Sequence, residues 1–432
     1  MIVRSLSDWL TYLEQLHPVA IDMGLERVRQ VAGRLGLQRP ALRVITVTGT
    51  NGKGSTCAFL SELLLAQGLR VGVYASPHLL RYNERVSINR KTATDAALCA
   101  AFSAVESVRE GVSLTYFEMG TLAAFWLFQQ EQLDAVVLEV GLGGRLDAVN
   151  LIDADIAVVT SIGLDHAEWL GDTRQCVALE KTGVFPSGKP VICGDADPPD
   201  VPLEEAKRGN GPLHRRGREF DFKVSGDNWS WSGVDQAGSF LELRKLPLLD
   251  LPIENAALAL QAFSLLELPW DPVKLAEGLR QTFLSGRLQR RSLLYQGKKL
   301  TLLLDVGHNP HAAEFLASRF QARPVSGRRL AVFGLLADKD LAGIVSVINC
   351  HIDHWAVAAL SSPRSRSASE VAAELMRADA RASQHLSIVE ALEAQCSQAA
   401  EADEILVFGS FYCVAEALDW LALREGTNGS IG

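Results

Sequence analysis

A lysine set among glycines and hydroxyls, Gly49-Thr50-Asn51-Gly52-Lys53-Gly54-Ser55-Thr56, is the stretch of this chain best suited to holding phosphate. Glycines let several backbone N–H groups close on one anion, and a helix starting there adds a favourable dipole. Lys53 can reach outer phosphates, and Ser55 or Thr56 can stand beside a magnesium ion. The spacing is G-x-x-G-K-G-S, not the common G-x-x-x-x-G-K-[ST], so context must carry the reading. An apolar run over 43–47 leads in and a helical pattern over 56–67 leads out. A glycine-rich turn with a solvated lysine is the plainer alternative. Lys53 and the hydroxyls falling between strand and helix favour nucleotide.

Other chemistry-bearing residues close apolar runs. Ser76 follows 69–75, Glu139 lies near the end of 134–141, and His166 follows 156–161. Parallel sheets bind ligands beyond the carboxyl ends of their strands. A hydroxyl, a carboxylate and the phosphate loop on one rim suit one or two magnesium ions, which prefer oxygen. Imidazole suits softer metals, so His166 is the less expected ligand. On residue chemistry alone, Lys181 in Glu180-Lys181-Thr182-Gly183 reads as a solvated helix residue, and Asp22 reads as a helix N-cap.

The elements that must position these groups alternate. A helix over 5–16, capped by Ser5 or Ser7, carries Leu6, Trp9, Leu10, Leu13 and Leu16 on one face. A second amphipathic helix follows Asp22. After the phosphate loop come a strand over 69–75 and a polar, irregular surface loop over 81–86. Helices are expected over 94–110 and from Thr115 to about 130, strands over 134–141, 156–161 and 190–193, and a helix around Lys181. Strand–helix alternation implies a parallel sheet covered on both faces. Between 205 and 250 short strands over 220–224, 228–231 and 239–243 suggest a small antiparallel region, followed by a helix over 253–266. A second strand–helix series starts near 299, with strands over 300–304, 330–333, 355–360 and 405–408. The boundary is placed at 295/296, and residues 426–432 read as a loose tail.

Over 432 residues, 48% hydrophobic content and 22% charge describe an ordinary globular chain of two or three domains. A net charge of −9 argues against a nucleic-acid surface. Basic runs at 215–218 and 287–291 are short enough to be solvated surface. Seven scattered cysteines without C-x-x-C favour a reducing compartment. With no signal-like N-terminus and no bilayer-length apolar run, a cytoplasmic protein without membrane partners is expected. Nothing demands an oligomer, and a monomer is expected.

The stretch 48–56 resembles the phosphate loop of the Mur-ligase-like ATP-dependent amide ligases. More narrowly, the chain resembles the bifunctional dihydrofolate synthase/folylpolyglutamate synthases. The matching stretches include Ser76-Pro-His-Leu79, Arg81-Tyr-Asn-Glu-Arg-Val86, Glu139-Val-Gly-Leu-Gly-Gly-Arg-Leu-Asp147 and Ser161-Ile-Gly-Leu-Asp-His166. They continue through Ala178-Leu-Glu-Lys-Thr-Gly183, Asn255-Ala-Ala257, Gly286-Arg-Leu288, Asp305-Val-Gly-His-Asn-Pro310, Asp338-Lys-Asp340 and Gly409-Ser-Phe411. Ten motifs in order span nearly the whole chain.

The resemblance implies an α/β protein: an N-terminal P-loop ATPase domain (1–295) with a parallel sheet and a small β-rich subregion, and a smaller C-terminal α/β Rossmann-like domain (296–432). ATP lies in the cleft between the domains of this family. Gly52, Lys53, Gly54 and Ser55 would hold its phosphates, and Asn255, Arg287 and Asp305 would also contact it. Ser76, Glu139 and His166 match the magnesium positions. Lys181 matches a carbamylated lysine (N6-carboxylysine) supporting a second ion. The pterin would meet Asp22, Met23, Gly24, Leu25, Thr115, Tyr116, Phe117, Glu118, Leu146, Asp147 and Ala148. His308 and Ser410 lie in motifs near the glutamate side, and Lys53, His166, Lys181, Arg287 and His308 form the expected catalytic set. Asp305-Val-Gly-His, Val149 and Ser285 depart from the usual pattern and bear on substrate preference.

The implied reaction is ATP-driven addition of L-glutamate to 7,8-dihydropteroate and to reduced folates through an acyl phosphate. The alternatives are an enzyme with only one of these activities, a ligase acting on a peptidoglycan precursor, and an ATP-hydrolysing switch that ligates nothing. The peptidoglycan reading would want a UDP-sugar domain ahead of the loop, where only 48 residues precede Gly49.

Overall fold

A computed structural model describes residues 4–428, in two compact units, 1–283 and 284–432. The boundary falls earlier than the expected 295/296. The basic stretch after Arg287 is not surface linker: it runs into a strand that pairs with the second unit's sheet. Of the expected loose tail, residues 426–428 continue the last helix, Phe411–Asn428; 429–432 lie outside the described residues.

Eight strands form the first unit's main sheet: β1 (Ala41–Thr48), β2 (Val71–Tyr74), β3 (Val86–Ile88), β4 (Lys91–Thr92), β5 (Leu133–Glu139), β6 (Ile156–Val159), β7 (Val191–Cys193) and β8 (Leu213–Arg215). Their order is β4-β3-β2-β5-β1-β6-β7-β8, parallel except at β2/β3 and β3/β4. Val44, Val47, Val136–Leu138 and 156–159 are buried, which is why these runs are continuously apolar. β1 is central. Val47 pairs with Glu139 on one side and Val158 on the other, and Tyr74 pairs with Leu138, so four strands end on one rim.

Local sequence accounts for the helix starts. Ser5 and Asp8 form a capping box on Leu6–Gln15, Thr94 caps Asp95–Arg109, and Thr115 with Glu118 boxes Tyr116–Gln130. Asp22 is not a cap: the helix Glu26–Leu35 starts after Leu25 with no side-chain cap. Nor is 81–86 a surface loop. It forms a 3-10 turn, Tyr82–Arg85, and enters β3, with Tyr82, Asn83 and Val86 buried. Tyr82 packs edge-on against Phe102 and Tyr116, which explains why an outwardly polar string turns inward.

The expected antiparallel region is β9 (Asp221–Ser225), β10 (Asn228–Val234) and β11 (Phe240–Pro247), in the order β11-β10-β9. Trp229 and Trp231 anchor it, each donating its indole N–H to a carbonyl, of Pro247 and Ala257 respectively. Helix Ile253–Ser264 packs beside the phosphate-loop helix, Lys53–Ala66.

The second unit's sheet contains β12 (Gln289–Tyr295), β13 (Lys298–Asp305), β14 (Arg329–Phe333), β15 (His354–Ala358), β16 (Ala382–His385) and β17 (Glu404–Phe408). The order is β12-β13-β17-β14-β15-β16, with β12 alone antiparallel to its neighbour. Phe333, Trp355 and Phe408 cluster in its core. Asp305 pairs with Phe408 at the strand ends, so the segments after β13 and β17 share a rim. Among the described residues no helix is long and apolar enough to cross a membrane.

Candidate active site

The phosphate loop leaves β1 at Thr48 and enters its helix at Lys53. First-turn amides of a helix have no i−4 carbonyl to pair with, so those of 53–55 are donors for an anion. Gly52, with φ of 87°, makes the left-handed turn into the helix. The loop is fastened to the end of β6. Thr50 N donates to Ser161 O (2.9 Å), Asn51 N to Ser161 Oγ (3.0 Å), and Thr160 Oγ1 to Asn51 O (2.6 Å). Asn255, expected at ATP, donates from Nδ2 to Ser55 Oγ at 2.7 Å and stands against Gly52. Thr56 Oγ1 is buried without a partner.

Gly49 carries the tightest constraint. Its φ is 148°, and a Cβ there would overlap Thr160 Oγ1. Gly49→Ala should therefore cost roughly 3 kcal/mol or more. A thermal melt should show a clear fall, and an unchanged midpoint would contradict this packing.

A small cavity of about 30 Å³ opens beside the loop. Lys53, Thr50, Asp165, His166 and Lys181 line it, together with the glycine-rich loop after β5. Lys53 Nζ donates to Gly49 O (2.9 Å) and Thr50 O (3.3 Å). Lys181 is 4% exposed, on the helix Arg174–Thr182. Burial pulls its amine down from 10.5 to about 7; the Lys53 charge pushes the same way and Asp165 opposes. Lys181 is thus not the solvated helix residue that its chemistry alone suggested. His166 has a left-handed backbone, φ of 50°, and its Nε2 lies 3.7 Å from Asp165 Oδ2.

Glu139 ends β5, 5% exposed, and accepts from Ser76 N at 3.1 Å, so these two expected metal positions adjoin. Among the described residues no three His, Cys, Asp or Glu side chains form a ready-made metal site. The pair nevertheless fits a hard cation: a buried carboxylate beside a hydroxyl-bearing residue is an oxygen donor set.

The segments expected at the pterin meet in this unit. Asp147 is buried, and its carboxylate collects the amides of Gly141 (3.1 Å), Leu142 (2.9 Å) and Val149 (2.9 Å). Burial pushes it up to about 6 against these donors and Lys53. It therefore shapes the glycine loop, with Ala148 buried and Leu146 half-buried beside it. The Phe117 ring lies against Gly141, and Met23 reaches Gly143. Thr115 and Glu118 are committed to their capping box, and Glu118 also accepts from Arg27 at 2.9 Å. Tyr116 lies under the Arg85 guanidinium. Gly24 and Leu25 complete the turn into the helix.

In the second unit, Asp305 is buried and accepts from Leu288 N (2.9 Å) and Gly307 N (2.7 Å). Burial raises its carboxyl, and Arg287 and the two amides oppose that. Arg287 lies 5.7 Å from the Phe411 ring centroid, and the His308 ring stands 6.4 Å from it. Ser410 is buried and its hydroxyl accepts from Cys413 N. Arg287, Asp305, His308 and Ser410 thus gather on one rim. Sequence reasoning missed Asp165 and the Arg27 link; adjacency to His166 could have flagged the first, and nothing local signals the second.

Residues 47–190 match the Mur ligase middle domain and residues 286–411 the Mur ligase glutamate ligase domain, which defines the class of protein. The chain is 45% identical to the dihydrofolate synthase/folylpolyglutamate synthase of Escherichia coli (strain K12), over 97% of this chain and 96% of that one. Among solved structures it is similar to E. coli FolC in complex with DHPP and ADP, with a TM-score of 0.91, 44% identity, and 98% and 99% of the two chains covered. It is also similar to a bifunctional folylpolyglutamate synthase/dihydrofolate synthase with Mn, AMPPNP and L-glutamate bound, with a TM-score of 0.88, 43% identity, and 97% and 98% covered. The chain belongs to the dihydrofolate synthase/folylpolyglutamate synthase family.

Proposed function

We propose that this protein uses ATP to join L-glutamate to 7,8-dihydropteroate, giving dihydrofolate, and to reduced folates, giving folylpolyglutamates. The observation that carries this reading is the cavity where Lys53, Asp165, His166 and Lys181 meet at the ends of β1 and β6. Family membership and full-length relatives carrying both activities in their names support it.

The substrate carboxylate attacks the γ-phosphorus of ATP. An O–P bond forms, the bond to the β–γ bridging oxygen breaks, and ADP leaves an acyl phosphate. The glutamate amine then adds to the acyl carbon, loses a proton, and the C–O bond to phosphate breaks. No protein nucleophile is needed; positioning and charge neutralisation do most of the catalysis. Lys53, Gly52, Gly54 and Ser55 hold the phosphates, with Asn255 orienting Ser55. Bound magnesium would neutralise phosphate charge, held by Ser76, Glu139 and His166, with carbamylated Lys181 giving anionic oxygens for a second ion. Residues 22–25, 115–118 and 146–148 form the pterin site. On the second unit's rim we assign Arg287 and Asp305 to nucleotide, and His308 and Ser410 to glutamate. Seven scattered cysteines, free in the structure, suit a reducing, cytoplasmic setting, and the enzyme is taken to act as a monomer.

A coupled ADP assay tests this with dihydropteroate or tetrahydrofolate as acceptor, each with and without glutamate. ADP should appear with either acceptor and only when glutamate is present. Turnover with one acceptor alone would reduce the enzyme to a single activity. ADP release indifferent to both substrates would overturn the ligase reading.

A further inference from the structure

We infer that Arg27, seconded by His17, is a positioning residue of the pterin pocket, fixing the Asp22 carboxylate by tying it to the segment that carries Glu118. The inference rests on the assignment of 22–25 and 115–118 to dihydropteroate made above. Arg27 lies in the first turn of its helix. Its Nη1 donates to Asp22 Oδ2 at 2.6 Å, and its Nη2 donates to Asp22 O and to Glu118 Oε1, both at 2.9 Å. One planar guanidinium therefore joins two segments 91 positions apart, a geometry a lysine ammonium cannot copy. Glu118 is nearly buried, and its other oxygen accepts from Thr115 N at 2.7 Å. Its charge is thereby balanced and its position set.

His17 makes a second bridge between the same two segments. Its Nε2 donates to Asp22 Oδ2 at 3.1 Å, while its Nδ1 shares a hydrogen bond with Ser113 Oγ, two residues before Thr115. Both bridges end on Oδ2 of Asp22, and neither uses Oδ1. The Asp22 side chain is 38% exposed, so water could solvate it without either donor. What two fixed donors add is orientation. The edge of a pterin that carries N3–H and the 2-amino group offers only donors, and a carboxylate oxygen held in place is its complement. Holding Asp22 before the substrate arrives removes an ordering cost from binding.

The test compares Arg27→Lys, Arg27→Met and Asp22→Asn in the full-length enzyme, measuring kcat and the KM for dihydropteroate, ATP and glutamate, with a thermal melt of each variant. Both Arg27 variants should raise the KM for dihydropteroate about tenfold or more and leave those for ATP and glutamate within about twofold. If Arg27→Met fails to fold, Arg27→Lys carries the test, since it keeps a cation beside Glu118. A raised dihydropteroate KM in Asp22→Asn with a wild-type value in Arg27→Lys would overturn the positioning role and leave the pocket assignment standing. Equal rises in all three KM values, or a fall in kcat alone, would make Arg27 a general structural pin and also overturn it. An unchanged dihydropteroate KM in Asp22→Asn would remove the pocket assignment and this inference together.

Discussion

Replacing Lys181 with methionine should lower glutamate-dependent ADP formation by about 10²–10³-fold while leaving thermal stability equal or higher. The two effects have one origin. A 4%-exposed amine is costly to protonate, and burial holds Lys181 near 7, so much of it is uncharged at neutral pH. An uncharged amine is the form that can add carbon dioxide, forming an N–C bond, losing a proton and becoming an anionic oxygen donor. Methionine keeps the volume and removes both the cost and the chemistry. Added short carboxylates should restore part of the activity in Lys181→Ala. Wild-type turnover in either variant, together with no extra mass on Lys181, would count against the modified-lysine role. In buffer free of carbon dioxide the unfolded chain binds the Lys181 proton more tightly than the folded one. Stability should therefore rise with pH between about 7 and 10.5, and Lys181→Met should flatten that rise.

Lys53→Ala should abolish ADP formation to a similar degree, about 10³-fold, with the fold intact. The side chain is half-buried and faces the cavity. Among the described residues it donates to Gly49 O and Thr50 O, contacts worth about 1 kcal/mol each in net stability. Those carbonyls hold the ammonium over the loop mouth, where an incoming phosphate would replace them as its partner. A melt within a few degrees of wild type beside a lost ADP signal is the expected pair of results. Normal turnover would sink the phosphate-loop assignment.

Much of this site was legible because it is local. The strand–glycine–lysine–helix context of 47–56 and the strand-end positions of Glu139 and Ser76 follow from short-range patterns. The structure carries them to one rim through the register of β1, β2, β5 and β6. Lys181 was half-legible. Val177, Ala178, Lys181 and Thr182 form the buried stripe of its helix, so the lysine sits at the i+4 position of an apolar face. Its burial was readable from spacing even though its chemistry suggested solvent. For Asp22 the resemblance named the pterin, but residue chemistry pointed to a helix cap, and its contacts were not legible. Its partners Arg27 and His17 are near in sequence, but Glu118 and Ser113, which give those contacts a purpose, arrive only through tertiary packing. The same holds for 81–86, where Tyr82 turns inward because Phe102 and Tyr116 offer it edges, and for the strand after Arg287, a polar then apolar run whose alternation of buried Leu293 and Tyr295 with exposed Leu294 appears only once β13 is its neighbour.

The ties between the phosphate loop and the end of β6 have an entropic consequence. Thr160, Ser161 and Gly163 already occupy the amides of Thr50 and Asn51, the Asn51 carbonyl and the Thr50 hydroxyl. The backbone freedom of a glycine-rich loop is therefore surrendered when the chain folds, not when nucleotide arrives. ATP meets a cradle whose shape is already set, and its binding free energy is left for holding the γ-phosphate in line with the attacking carboxylate.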